Sequence, residues 1–160
     1  MLFRSVQVLT DYYVPWSHAV TTEDFRHQDQ ASDTLRLRVQ YDKSTVKIGE
    51  EVRCDVEAER IGFRGYGMLL AEIGLPPGAE VDRDSLDTAV NKSGWEINHY
   101  DVLPDRVVVY LWPHAGGTEF SFTFKPRFGE KALTLASSLY DYYNPEAHAL
   151  VEPAEFLVGR

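Results

Sequence analysis

Along most of this chain apolar and polar residues alternate singly, the period of an extended strand with one face in a core. In residues 35–41, Leu35, Leu37, Val39 and Tyr41 share one face, and Arg36, Arg38 and Gln40 take the other. Residues 52–59 repeat the arrangement, with Val52, Cys54, Val56 and Ala58 inward and Arg53, Asp55, Glu57 and Glu59 outward. In residues 119–125 the inward set is Phe120, Phe122 and Phe124. Residues 67–75 and 106–112 are apolar on both faces, as central strands are. Residues 129–140 supply the last long strand. Turns such as "LPPG", "LPDR", "PHAGG" and "PRFGE" separate the runs. The pattern predicts an all-β fold, an antiparallel two-sheet β-sandwich.

One segment departs from the period of two. In "VDRDSLDTAVNKSG", Leu86, Ala89 and Val90 fall at i, i+3 and i+4, so one short helix is inserted between strands. Asp82 or Asp84 caps its start and Gly94 stops its end. Residues 1–10 alternate again, Val6 and Val8 against Gln7, and read as a strand. A chain that begins directly in a strand suggests a piece of a longer protein. Between it and the sandwich, residues 18–34 are polar without period and read as a linker.

Composition narrows the function classes. At 160 residues, 44% hydrophobic and 12% aromatic, the chain fits one globular domain that needs no metal or disulfide to hold it. A formal net charge of −9 disfavours nucleic acid and anionic membranes as partners, and solubility is the simplest account of the acidity. Cys54 is the only cysteine, so an internal disulfide is impossible; its place on a core face makes it a buried structural thiol. No apolar run approaches the roughly 20 residues of a membrane span.

Candidate chemistry is sparse. His18, His27, His99, His114 and His148 show no paired ligand spacing. Asp82, Asp84 and Asp87 crowd the helix start, where carboxylates also favour the helix dipole. A calcium site there would lack the glycine and terminal glutamate of an EF-hand. "GFRGYG" at residues 62–67 runs into a strand and not a helix, so it reads as a turn and not a phosphate cradle. There is no G-x-S-x-G, and nothing singles out a carboxylate pair. The chain reads as no enzyme, and no cofactor is called for. Trp16, Trp95, Trp112, Tyr142 and Tyr143 could build a sugar platform, which makes a carbohydrate-binding β-sandwich module of a secreted enzyme the alternative reading. "NKS" at residues 91–93 is an N-glycosylation sequon, meaningful only in a secreting eukaryote.

Two stretches share the pattern Asp-Tyr-Tyr-x-Pro: "TDYYVPW" at residues 10–16 and "YDYYNPE" at residues 140–146. Four blocks carry a resemblance that explains them: "GMLLAEIGLPPGAEVDRDSLDTAV", "WEINHYDVLPDRVVVYL", "FSFTFKPRFGEKALTLASSL" and "YDYYNPE". In this order they resemble the C-terminal receptor-binding domain of the alpha-macroglobulins and thioester complement proteins, an immunoglobulin-like macroglobulin sandwich. The last block resembles the family's near-terminal Tyr-x-Tyr-Tyr signature. "TDYYVPW" follows a strand similar to the closing strand of the CUB domain that precedes this domain in the family. The two stretches are then unrelated strand ends with a proline to stop pairing, the second closing the domain. The resulting organisation is residues 1–16 as the closing strand of a CUB-like domain, 17–34 as linker and 35–160 as the sandwich.

The resemblance implies a non-catalytic protein-interaction domain at the C-terminus of a protease trap, part of a larger secreted protein in an extracellular or periplasmic space. Its implied partners are the remaining domains of the parent chain, a protein receptor, and target proteases through the parent. The family's receptor contact uses two basic positions four apart on the helix, which fall on Arg83 and Asp87 here. Asp87 reverses one charge and would repel the acidic modules of the known receptor. Lys92 offers a second positive group, five residues further on. The simpler alternative is that the helix only covers one surface of the sandwich. Absent disulfides and a divergent helix fit a bacterial relative.

Overall fold

The computed structural model describes residues 34–61, 67–129, 131–145 and 147–159. The expected strand at 1–10, nearly all of the linker, Trp16, His18, His27, the first Asp-Tyr-Tyr stretch and most of the turn at 62–67 lie outside the described residues.

Among the described residues twelve strands and one helix follow in chain order: β1 (Leu35–Tyr41), β2 (Thr45–Lys47), β3 (Val52–Arg60), β4 (Leu69–Gly74), β5 (Ala79–Val81), α1 (Arg83–Lys92), β6 (Ile97–Val102), β7 (Arg106–Leu111), β8 (Thr118–Pro126), β9 (Lys131–Leu133), β10 (Ser137–Asp141), β11 (His148–Val151) and β12 (Glu155–Gly159). They form a four-stranded sheet in the order β1-β3-β8-β5 and a five-stranded sheet in the order β11-β10-β4-β7-β6. The core lies between them. Leu35, Leu37, Cys54, Val56, Phe122 and Phe124 come from the first sheet, and Leu69, Ala71, Ile73, Val107, Val109 and Leu139 from the second. This is the sandwich that the alternation predicts.

A third, three-stranded sheet, β2-β12-β9, was not legible in the sequence, because two of its strands are only three residues long. Its middle strand brings Phe156 and Val158 into the same core.

Two expectations need correction. Residues 129–140 are not one strand but β9 and β10, which belong to different sheets. The chain leaves the third sheet at Thr134, whose N–H donates to the Ala154 carbonyl and whose Oγ1 donates to the Leu135 carbonyl. It then crosses Gly74 so closely that a Cβ there would sit 2.0 Å from the Leu135 carbonyl oxygen. Nor does "YDYYNPE" close the domain, since β11 and β12 follow it. Its Tyr140 and Asp141 end β10, and residues 142–145 turn the chain toward β11, an antiparallel partner with His148 opposite Tyr140.

The helix matches its expectation closely. The Asp82 carboxylate accepts from the Asp84 N–H at 3.1 Å, Ser93 caps the far end, and Gly94 follows at φ 61°. Leu86 is buried, with Ala89 and Val90 packed partly against the core. Cys54 is fully buried, and that burial pushes its thiol far up from the ordinary range.

Candidate functional site

Two surfaces and one buried pair gather the residues that sequence reasoning singled out and several that it missed. The first is α1. Arg83 and Asp87, four apart, project from one side of it beside Tyr100 of β6. The Tyr100 hydroxyl donates to Asp87 Oδ1 at 2.6 Å. That bond to a carboxylate pushes the phenol up, helped by partial burial and opposed by the Arg83 guanidinium. Lys92 is nine positions from Arg83, about half a turn around a helix of 3.6 residues per turn. It faces the other way, into a groove against β8. The three candidate residues therefore split into an Arg83–Asp87–Tyr100 cluster and a separate Lys92.

The acidic residues near the helix start are also dispersed. Asp82 is occupied by the Asp84 N–H, and Asp87 by Tyr100. Among the described residues no group of three or more His, Cys, Asp or Glu is placed to hold a metal ion.

The second surface is the outer face of the five-stranded sheet. In-register pairing lines up His148, Tyr140, Leu70, Tyr110 and His99 across all five strands. The next row is Leu150, Ser138, Glu72, Val108 and Asp101. Polar groups pin this band. Tyr140 donates to Glu72 at 3.3 Å, Arg106 bridges to Glu72 at 2.9 Å, and Tyr110 donates to Asp101 at 3.2 Å. Both phenols are raised, by burial first and by these carboxylates next. Sequence reading named the strands but not this band, since it needs the register of four strand pairs. The expected sugar candidates lie at its margins: Tyr142 and Tyr143 stack edge to face at 5.2 Å, and Trp112 is about half exposed. Trp95 is 92% exposed and sits at φ 87°, a conformation that side chains rarely adopt.

The third feature is internal and ties two chain segments together. Arg60 and Asp141, both buried, meet at 2.8 Å. Asp141 Oδ1 also accepts from the N–H groups of Tyr143 and Asn144 at 2.8 and 3.2 Å. Burial pushes the Asp141 carboxyl up, but the Arg60 bond and these two amides outweigh it and hold it below the ordinary carboxylate range. The aspartate of the second Asp-Tyr-Tyr stretch is thus a structural anchor.

Residues 64–153, more than half of the chain, match the family described as the A-macroglobulin receptor binding domain. A comparison with curated protein sequences finds no match. Among solved structures, the fold is similar to native alpha-2-macroglobulin from Escherichia coli, spanning domain MG7 to the C-terminus. That likeness has TM-score 0.68 and 12% identity, over 79% of this chain and 24% of that one. It is similar also to a mutant of Salmonella alpha-2-macroglobulin, with TM-score 0.68 and 15% identity, over 83% of this chain and 10% of that one. Trypsin-activated alpha-2-macroglobulin from Escherichia coli matches with TM-score 0.68 and 12% identity, over 81% and 10% of the two chains. The chain thus spans a quarter or less of the solved structures that it resembles.

Proposed function

This chain belongs to the alpha-macroglobulin receptor-binding domain family, and from that premise we propose that it is the non-catalytic C-terminal interaction domain of an alpha-macroglobulin-like protease inhibitor. The observation that carries the reading is the family match itself, which runs from β4 through α1 to β11 and so includes both outward-facing candidate surfaces. The parent would be a larger protein of an extracellular or periplasmic space, with residues 1–16 closing a preceding CUB-like domain and 17–34 linking it to the sandwich. Target proteases are reached through the parent and not through this domain.

The two surfaces suit two roles. The band of His148, Tyr140, Leu70, Tyr110 and His99 has an apolar centre flanked by two tyrosines and is rimmed by ion pairs, the composition of a protein interface. It is the surface we assign to docking against the rest of the parent chain. Arg83, Asp87 and Lys92 remain the candidate contacts for a separate protein partner. With Asp87 held by Tyr100, a partner reading that side of α1 meets one cation and one occupied carboxylate. An acidic receptor module is therefore a poor fit.

The test begins with the coding DNA upstream of Met1, followed by expression of the whole parent. The expected result is a preceding macroglobulin framework whose purified product shields a protease from large substrates but not from small ones. Tyr110→Glu in the band should then loosen the domain from the parent, read as faster limited proteolysis at the junction. A soluble-glycan screen supplies the opposing outcome: binding abolished by Trp95→Ala or Trp112→Ala would replace this reading with the sugar-binding module.

A further inference from the structure

The outer edge of β8 carries backbone groups that have no partner among the described residues. Cys54 of β3 lies opposite Phe122 of β8, whereas Arg53 turns its backbone toward β1, its carbonyl accepting from Asp42 N–H at 3.0 Å. Since direction alternates along an antiparallel strand, the N–H and C=O groups of Glu119, Ser121 and Thr123 point away from β3. At Thr123 that direction is filled. Its carbonyl accepts from Asp82 N–H at 2.9 Å, and its N–H donates to Ser85 Oγ at 3.0 Å. Further along, β5 pairs with β8 from Phe124 to Pro126. Before Thr123 the outward backbone groups of Glu119 and Ser121 have no hydrogen-bond partner among the described residues, although α1 packs alongside β8. Glu119 and Ser121 border a groove of about 900 Å³ whose far wall is α1, with Thr88, Ala89 and Lys92 lining it. A bare edge of this kind is a template for another strand.

Charge says what kind of strand. Register places Arg38, Glu57 and Glu119 side by side across the outer face of three strands. Arg38 pairs with Glu57 at 3.2 Å, while Glu119 has no cation in ion-pair range among the described residues. Two glutamates directly opposite each other repel. A lysine or arginine on the next strand outward would restore the alternation of sign. The chain's own N-terminal residues 1–33 have the wrong charge for this, with Arg4 and Arg26 against Asp11, Glu23, Asp24, Asp29 and Asp33.

We infer that the open edge of β8 is a docking site for an extended basic segment of another polypeptide, which adds as a further strand with a Lys or Arg side chain beside Glu119. Backbone hydrogen bonds to Glu119 and Ser121 supply the pairing, and Glu119 supplies the choice of charge. The inference does not depend on the proposed function, because it rests on β8 and α1 alone.

The test uses the whole 160-residue chain and a labelled peptide of sequence Thr-Lys-Val-Lys-Val-Lys-Thr, beside a Glu-for-Lys version. The basic peptide should slow hydrogen exchange of the Glu119 and Ser121 amides by about tenfold or more, and the acidic one should bind at least about tenfold more weakly. Ser121→Pro removes an N–H that points away from β3 and leaves the donors of the β3–β8 ladder in place, so it should keep a cooperative thermal transition and lose the peptide. Glu119→Lys, at an exposed position, repeats the test without touching the backbone and should weaken binding by about tenfold or more. Absence of binding overturns the inference. So does binding that leaves both amides exchanging as before, or that survives Glu119→Lys unchanged.

Discussion

At the residue scale the pair Arg60–Asp141 shows what a linear reading loses. The two are 81 positions apart, so the aspartate in "YDYYNPE" looked like part of a strand exit although it is a buried anchor. Removing one partner leaves the other charged and buried, which costs about 3–5 kcal/mol. Asp141→Asn should therefore lower unfolding free energy in urea by about that amount near neutral pH. The pH dependence has a definite sign. The folded-state carboxyl is held below its ordinary value of 3.8, so its stabilisation is complete above that value and is lost as pH falls through the lower folded one. The gap between the two proteins should close in acid denaturation below about pH 4. A gap that stays constant through that range would mean that the pair adds nothing through its charge. Cys54 is the contrasting case, legible from alternation alone: burial keeps its thiol protonated, so a thiol reagent should label it only once denaturant unfolds the chain.

At the scale of elements, local rules read what local interactions set. The helix was found because its apolar spacing, aspartate cap and terminal glycine all agree within a dozen residues. Strands β1, β3 and β8 were found because each has an interior face long enough to show a period, and β4 and β7 because each is an apolar run between turns. Residues 129–140 misled because alternation continues across the point where the chain changes sheets. What breaks the strand is a close crossing with Gly74, and Gly74 announces nothing in sequence. The crossing is testable. In Gly74→Ala the new methyl would lie 2.0 Å from a backbone oxygen, which no rotamer change relieves. Overpacking of this kind costs about 1–3 kcal/mol or more, so the thermal midpoint should drop sharply. An unchanged midpoint would show that the segment at Leu135 can move aside.

For the whole molecule, the third sheet decides whether the sandwich closes. β12 pairs parallel with β2 and antiparallel with β9, joining the last strand to one near the start of the domain. At that junction Phe156 lies edge-on to Tyr41 at 5.1 Å and to Phe124 at 5.9 Å. The Tyr41 hydroxyl in turn donates to the Gly74 carbonyl at 2.6 Å, in the five-stranded sheet. One aromatic cluster thus fastens all three sheets together. None of this was readable from periodicity, because it depends on pairing between chain ends. The family match stops at residue 153, short of β12, yet Phe156 is fully buried and Val158 nearly so. If the junction holds the domain, Phe156→Ala should cost about 3–5 kcal/mol, as aromatic truncation in a core does. Deleting residues 154–160 should do more, removing the middle strand of a sheet as well as the ring, and the truncated chain should lose its cooperative unfolding transition. Calorimetry distinguishes the cases: a truncated chain that still melts in one sharp step near the parent midpoint would make β12 an ornament, and the sandwich would then be held by its two large sheets alone.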